Sequence, residues 1–332
     1  MIIKIINNTL SSKKFLNLIV FTFILSLCVN LIQNIYEKED FGIENNNLPL
    51  KKKISIKLSS EESYSQILNK ECEITGDMHD RHKVRWVKSV VLKNIFQKAY
   101  DVKDTSPYYL NILIHSLLIF LTLIMLNRIY DLEKYFTLLF LLYITFIFSH
   151  YIGEYSYSIF EMFFIAAGLY FSKKNNIIFF TIICIFAVLN RESGFIILIT
   201  WLIFNKDFKK FFYSSSIVIF SFILLNWNIF ECLINPRFFV PLEYQHGQIN
   251  IQDLYSSNLI SVIKLLLINF GFPFGLLTFY ILNTKNKNMF LTLISILYLI
   301  VFLVAAPIHH ISIRMLILPL IFTAAYFSKI KN

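Results

Sequence analysis

Charged residues are scarce in this chain: they make up 16% of its 332 residues, against 56% hydrophobic residues and 35 Phe. With a mean hydropathy of +0.61, the sequence carries far more apolar surface than one soluble core can enclose, so it reads as a polytopic membrane protein. A glycine-rich nucleotide loop, a Walker motif and a serine-nucleophile elbow are all missing, which leaves soluble nucleotide chemistry without support. Internal repeats, from which many transporters are built, are missing too. The four cysteines show no framework spacing. Cys28 and Cys184 fall in apolar stretches, whereas Cys72 and Cys232 fall in two expected exoplasmic loops, where a bond between them stays open and free thiols are the favoured reading. The net charge of +10 comes from short lysine clusters between apolar runs rather than from one basic face, so the chain gives no sign of a nucleic-acid partner.

What is present is a series of about ten apolar segments of roughly membrane-spanning length, at 15–35, 108–127, 135–150, 156–172, 177–190, 194–204, 211–230, 259–282, 289–306 and 311–328. The expected fold is an all-α polytopic membrane protein of about ten transmembrane helices with a large first exoplasmic loop. Residues 1–35 form a cytoplasmic N-terminus and a signal anchor, which has a basic start but neither a small-residue cleavage site nor a lipobox, since Leu27 precedes Cys28. Residues 36–107 form the exoplasmic loop, and residues 108–332 the transmembrane bundle, with a second exoplasmic loop at 231–258. Lys13/Lys14, Arg128/Lys134, Lys173/Lys174, Lys206/Lys209/Lys210, Lys285/Lys287 and Lys329/Lys331 fall at every second connection, which the positive-inside rule assigns to the cytoplasm. Both termini are then cytoplasmic, in an inner (plasma) membrane. This phasing requires 177–204 to be a hairpin of two short helices.

At the tip of that hairpin lies Asn190-Arg191-Glu192-Ser193, the most informative feature of the chain. Adjacent Arg and Glu at membrane depth cost several kcal/mol unless they pair, face a water-filled cavity or bind something polar. Further ionisable groups are expected on the same exoplasmic side. Asp77, His79, Asp80, Arg81, His82 and Arg85 are packed within nine residues, enough for a general base, a diphosphate clamp or a metal site, although no metal-ligand spacing such as HExxH or paired cysteines supports the last. A solvated charged loop is the plainer reading of that cluster. Residues 84–100 read as an interfacial helix with Val84, Val87, Val91 and Ile95 along one stripe, and Trp86 and Tyr100 suit that depth. Leu48–Glu62 reads as a solvated strand or as disordered. His150, Glu154, Tyr155 and Glu161 surround the start of one span, and Glu161 lacks an obvious lysine partner. His309, His310 and Arg314 surround the last exoplasmic turn, with Arg314 at headgroup level.

This layout, namely a signal anchor, a large first loop, Asp77…His82…Arg85 ahead of an interfacial helix, the Leu-Asn-Arg-Glu-Ser-Gly turn at 189–194 and a late Arg314 near Pro319, resembles the GT-C superfamily of integral-membrane glycosyltransferases. The likeness is closest to its poorly characterised bacterial branches, in which an R-E-[ST]-G turn recurs. The resemblance implies an inverting hexosyl or pentosyl transferase that takes a sugar from a polyprenyl-phosphate donor and delivers it to an exoplasmic acceptor for cell-envelope biogenesis, with membrane lipids as its surroundings. It further implies a carboxylate from the first loop as base: Asp77 first, Asp80 second and the Glu37/Glu39/Asp40 cluster third. Arg191 would contact phosphate with Arg85 and Arg314, alongside His82 and Glu154, and Glu192 would orient Arg191 or a sugar hydroxyl. No cofactor is called for, and a divalent metal ion is left open. The paired acidic residues of the family do not stand unambiguously in their usual place. A polysaccharide polymerase or ligase, a lipid or glycan transporter, and a scaffold with a structural Arg–Glu pair are the competing readings.

Overall fold

In the computed structural model the described residues are 48–59, 86–130 and 156–227, with Phe230 and Ile234. They are 90% helical and contain no strand. Seven α-helices can be followed: α1 (Leu50–Ser59), α2 (Lys93–Val102), α3 (Ser106–Tyr130), α4 (Ser156–Lys173), α5 (Ile177–Asn190), α6 (Ile196–Asn205) and α7 (Phe208–Leu225). A π-helical turn, Val87–Leu92, leads into α2, and a 3-10 turn, Glu192–Phe195, joins α5 to α6. Among the described residues two helices are long and apolar enough to cross a membrane, through Ser106–Leu126 and Phe208–Leu225, while Ile177–Asn190 and Ser193–Leu202 are shorter apolar helices. The segments expected at 15–35, 135–150, 259–282, 289–306 and 311–328 lie outside the described residues, as do Cys72 and Cys232.

Local chemistry sets the boundaries of the helices. Between α4 and α5 the chain turns on two asparagines. Asn175 takes a left-handed conformation (φ 52°), the Asn176 N–H donates to the Phe171 carbonyl and the Asn175 N–H to that of Ser172, which together close α4 with a Schellman motif. The Asn176 side chain then accepts from the Phe179 N–H at 3.2 Å and so caps α5. Asp207 does the same for α7, accepting from the Lys210 N–H at 3.1 Å.

The direction of each helix follows from its contacts. Phe180 of α5 meets Trp201 of α6 with ring centroids 5.1 Å apart, while Gly194 lies against Ala187 and Val188, so α5 and α6 are antiparallel and the expected hairpin over 177–204 is formed. The Ser172 hydroxyl donates to the Thr200 carbonyl at 2.9 Å and the Asn205 amide to the Ser172 carbonyl at 2.8 Å, so α6 runs parallel to α4. Thr181 donates to the Ser214 hydroxyl at 2.9 Å near the start of α5 and α7, and Phe195 meets Phe222 farther along, so these two are parallel. The Lys173 ammonium donates to the Ile129 carbonyl, which brings the ends of α3 and α4 together. Arg128, Lys173, Lys174 and Lys206–Lys210 therefore collect at one end of the bundle, and the turn at 191–195 lies at the other.

α4 is the central element. From Ile159 to Ser172 only Phe160 and Phe163 are partly accessible, the mark of a helix enclosed by neighbours on every side. At Gly168 an added Cβ would stand 2.3 Å from Ile197 Cγ2, so glycine there lets α6 close onto α4. Outside the bundle, Tyr109, Leu113 and Leu117 of α3, Ile178, Ile182 and Phe186 of α5, and Phe212, Phe220 and Leu224 of α7 are exposed. On α3 and α5 their spacing of four forms continuous apolar stripes pointing outward.

Two expectations for the first loop are corrected. Residues Leu50–Ser59 are helical, where a strand or disorder is expected from sequence. Pro49 starts the helix by accepting from the N–H groups of Lys52 and Lys53, and Ile54 is buried against Tyr108 and Ile112 with Leu58 one turn on, which provides the tertiary packing that a short lysine-rich helix needs. Residues 86–102 are helical as expected, but their buried face is Val87, Leu92 and Phe96, while Val91 and Ile95 are exposed. The π turn adds a residue, so the buried stripe steps by five and then by four, and the expected 84–87–91–95 stripe is split.

Candidate functional site

The turn between α5 and α6 is built around a buried ion pair. α5 ends at Asn190, Arg191 is extended (φ −165°, ψ 145°), and the chain re-enters helix through the 3-10 turn. The Arg191 N–H donates to the Ala187 carbonyl at 2.9 Å and the Gly194 N–H to the Arg191 carbonyl at 2.8 Å, which folds the turn back on the helix it leaves. Gly194 makes that fold feasible. A Cβ there would stand 2.4 Å from the Ala187 carbonyl carbon and 2.6 Å from the Val188 nitrogen, so no other residue fits without moving backbone.

Held in this way, Arg191 reaches α4. Its Nη1 donates to Glu161 Oε2 at 2.8 Å, and the two side chains are only 6% and 3% exposed. The Ser193 hydroxyl donates to the other carboxylate oxygen, Oε1. Glu161 therefore has both oxygens engaged. Such a carboxylate is well suited to orienting a guanidinium and poorly suited to accepting a proton from a substrate. Asn190 is fully buried beside the pair. The Glu161 charge, for which the sequence offers no lysine partner, is thus balanced by an arginine 30 residues along the chain.

The elements of the first loop gather at this same end. The Trp86 indole N–H donates to Asn226 Oδ1 at 3.0 Å, and the Asn226 amide donates to the Phe222 carbonyl at 2.8 Å, so the start of the 86–102 helix is tied to the far end of α7. α1 is tied to the start of α3: Ser55 accepts from the Tyr108 N–H at 3.3 Å, Lys52 pairs with Asp104 at 3.0 Å, and the Lys51 ammonium donates to the Tyr109 hydroxyl at 3.2 Å. The bond to Tyr109 raises the pKa of Lys51, and the bond to Asp104 raises that of Lys52.

Of the donor-site and catalytic residues expected from sequence, Arg191 is the one whose side chain the structure places, and it places Glu161 and Trp86 as well. Glu192 opens the 3-10 turn, with its side chain outside the described set, and a carboxylate that holds Arg191 is Glu161 on α4. Asp77, Asp80, His82, Arg85, Glu154 and Arg314 lie outside the described residues. Among the described residues no three His, Cys, Asp or Glu side chains converge as a metal site, and the Asp77, His79, His82 set is not among them. Sequence reasoning passed over one polar feature, the buried Asn111 and His115 one turn apart on α3; polar residues within an apolar span were the available signal. Compared with protein-family models, curated proteins and solved structures, the chain matches none.

Proposed function

We propose that this protein is a membrane glycosyltransferase of GT-C type that moves a sugar from a polyprenyl-phosphate donor to an exoplasmic acceptor. The observation that carries the reading is a buried, pre-oriented Arg191 at the bundle end where the described parts of the first loop gather, opposite the end that collects Arg128, Lys173, Lys174 and Lys206–Lys210. Under the positive-inside rule the basic end is cytoplasmic, and the Arg191 end is exoplasmic. The outward apolar residues of α3, α5 and α7 then face lipid.

Under this reading Arg191 stabilises the charge that develops on the phosphate leaving group, and Glu161 and Ser193 hold the guanidinium in place so that no reorganisation is needed during transfer. Asp77, or failing it Asp80, takes the proton of the acceptor hydroxyl. These residues precede Trp86, which the Asn226 bond fixes at this end of the bundle. Arg85, His82, Glu154 and Arg314 complete the donor site.

A second reading is favoured by the full engagement of Glu161: the pair serves only to lock the hairpin tip onto α4. Transfer from radiolabelled polyprenyl-phosphate sugars, measured in membranes with matched amounts of wild type, Asp77→Asn and Arg191→Ala, separates the two. Turnover by wild type that is lost in both variants supports the transferase. If wild type consumes no donor, the proposal is overturned, and a transferase whose Arg191→Ala variant stays active assigns the pair to structure alone.

A further inference from the structure

Asn111 and His115 lie four residues apart on α3 and are 4% and 7% exposed. Asn111 Oδ1 and His115 Nε2 are buried without a hydrogen-bond partner among the described residues. Buried polar atoms that go unsatisfied are destabilising, and a span as apolar as Ser106–Leu126 has ample alternatives at these positions. A polar ligand would supply the missing partners.

Geometry places them at the depth of the ion pair. α3 and α4 run side by side in the same direction, with Lys173 bonded to the Ile129 carbonyl. Counting back at about 1.5 Å per residue, Glu161 lies roughly 18 Å above that contact and His115 roughly 21 Å, so the two share a depth. At about 100° per residue, Asn111 and His115 fall on the face of α3 opposite the exposed Tyr109, Leu113 and Leu117, the same face that carries Thr122, Leu126 and Ile129 inward.

The chemistry of the pair selects its ligand. Asn111 Oδ1 is an acceptor, which repels an anion and asks for a donor, and a neutral imidazole beside it either gives or takes a hydrogen bond. A hydroxyl does both. With Cβ atoms roughly 6 Å apart, the two side chains can engage one hydroxyl or two on adjacent carbons. We infer that Asn111 and His115 form a hydroxyl-binding site for the sugar head of a membrane-embedded glycolipid. The inference rests on the transferase reading for its place in the reaction, with Arg191 meeting the phosphate and α3 meeting the sugar, but the site itself needs no phosphate.

The test uses the full chain in lipid nanodiscs and probes that carry a sugar without phosphate: octyl β-glucoside, octyl β-galactoside and octyl β-mannoside, each compared with octyl tetraethylene glycol ether. Wild type is expected to bind at least one glycoside more tightly than the ether, and Asn111→Leu and His115→Phe each to weaken that preference by about five- to tenfold, as the loss of one or two hydrogen bonds predicts. Both variants are expected to melt no lower than wild type, because an apolar group replaces an unsatisfied polar one. His115→Gln, which keeps a donor and an acceptor, retains part of the preference. The inference is overturned if wild type shows no preference for any glycoside, or if the preference survives in folded Asn111→Leu and His115→Phe. A glycoside preference in a protein that consumes no polyprenyl-phosphate donor overturns the transferase reading and leaves this site standing.

Discussion

Breaking the Glu161–Arg191 pair one side at a time should be far more damaging than removing it whole. The two side chains are 3% and 6% exposed and lie 2.8 Å apart, so deleting one leaves the other charge buried without its counter-ion. Glu161→Leu or Arg191→Met alone should each cost about 3–5 kcal/mol, the range for stranding a buried charge. The combined Glu161→Leu/Arg191→Met variant removes both desolvation penalties at similar volume and should return to within about 1 kcal/mol of wild type. Part of the remaining deficit comes from Ser193, whose hydroxyl then loses its acceptor at about 1 kcal/mol. Reversible unfolding in mixed micelles for the four proteins gives the coupling directly. Single variants costing under about 1 kcal/mol, the range of solvent-exposed pairs, would refute the reasoning, as would a double variant as unstable as the sum of the singles. Sugar transfer by the double variant adds a functional readout: a stable but inactive protein shows that the pair does more than hold the fold.

Gly194→Ala should destabilise by about 1–3 kcal/mol or more and displace Arg191, because its Cβ meets the Ala187 carbonyl at 2.6 Å and that backbone cannot yield cheaply; thermal melts alongside wild type check this. Gly168→Ala meets only the Ile197 side chain, so the loss should be partly recovered in Gly168→Ala/Ile197→Ala, a compensation that a double-mutant cycle reads. The Lys210 N–H holds the Asp207 carboxyl below its ordinary 3.8, so the cap is stronger when ionised; its contribution is present above about pH 4 and lost as pH falls through the lower folded value. The melting-point gap between wild type and Asp207→Ala should accordingly narrow as pH is taken from 6 to 3.

Much of the fold was legible because it rests on local signals. Apolar runs between basic connections marked the helices, and the alternation of those basic connections required a hairpin over 177–204 rather than one long span, which α5 and α6 form. The Asp77–Arg85 cluster lies outside the described residues, so its expected place beside Arg191 stays a proposal. Where the sequence misled, a nonlocal contact was responsible. The helix at Leu50–Ser59 exists because Tyr108 and Ile112 cover Ile54, more than fifty residues away, and the face of 86–102 is turned by a π turn that no periodicity announces.

Composition and charge order by themselves pointed to a helical, largely apolar chain, and among the described residues basic groups fall at the α4–α5 and α6–α7 connections, since burial cost and helical period act on neighbours in sequence. Only the tertiary structure decided that Glu161 serves Arg191. The extended conformation of Arg191 and the close packing of Gly194 bring the guanidinium to Glu161 on the central helix, 30 residues away in sequence, because a buried charge pairs with the partner that packing brings to it.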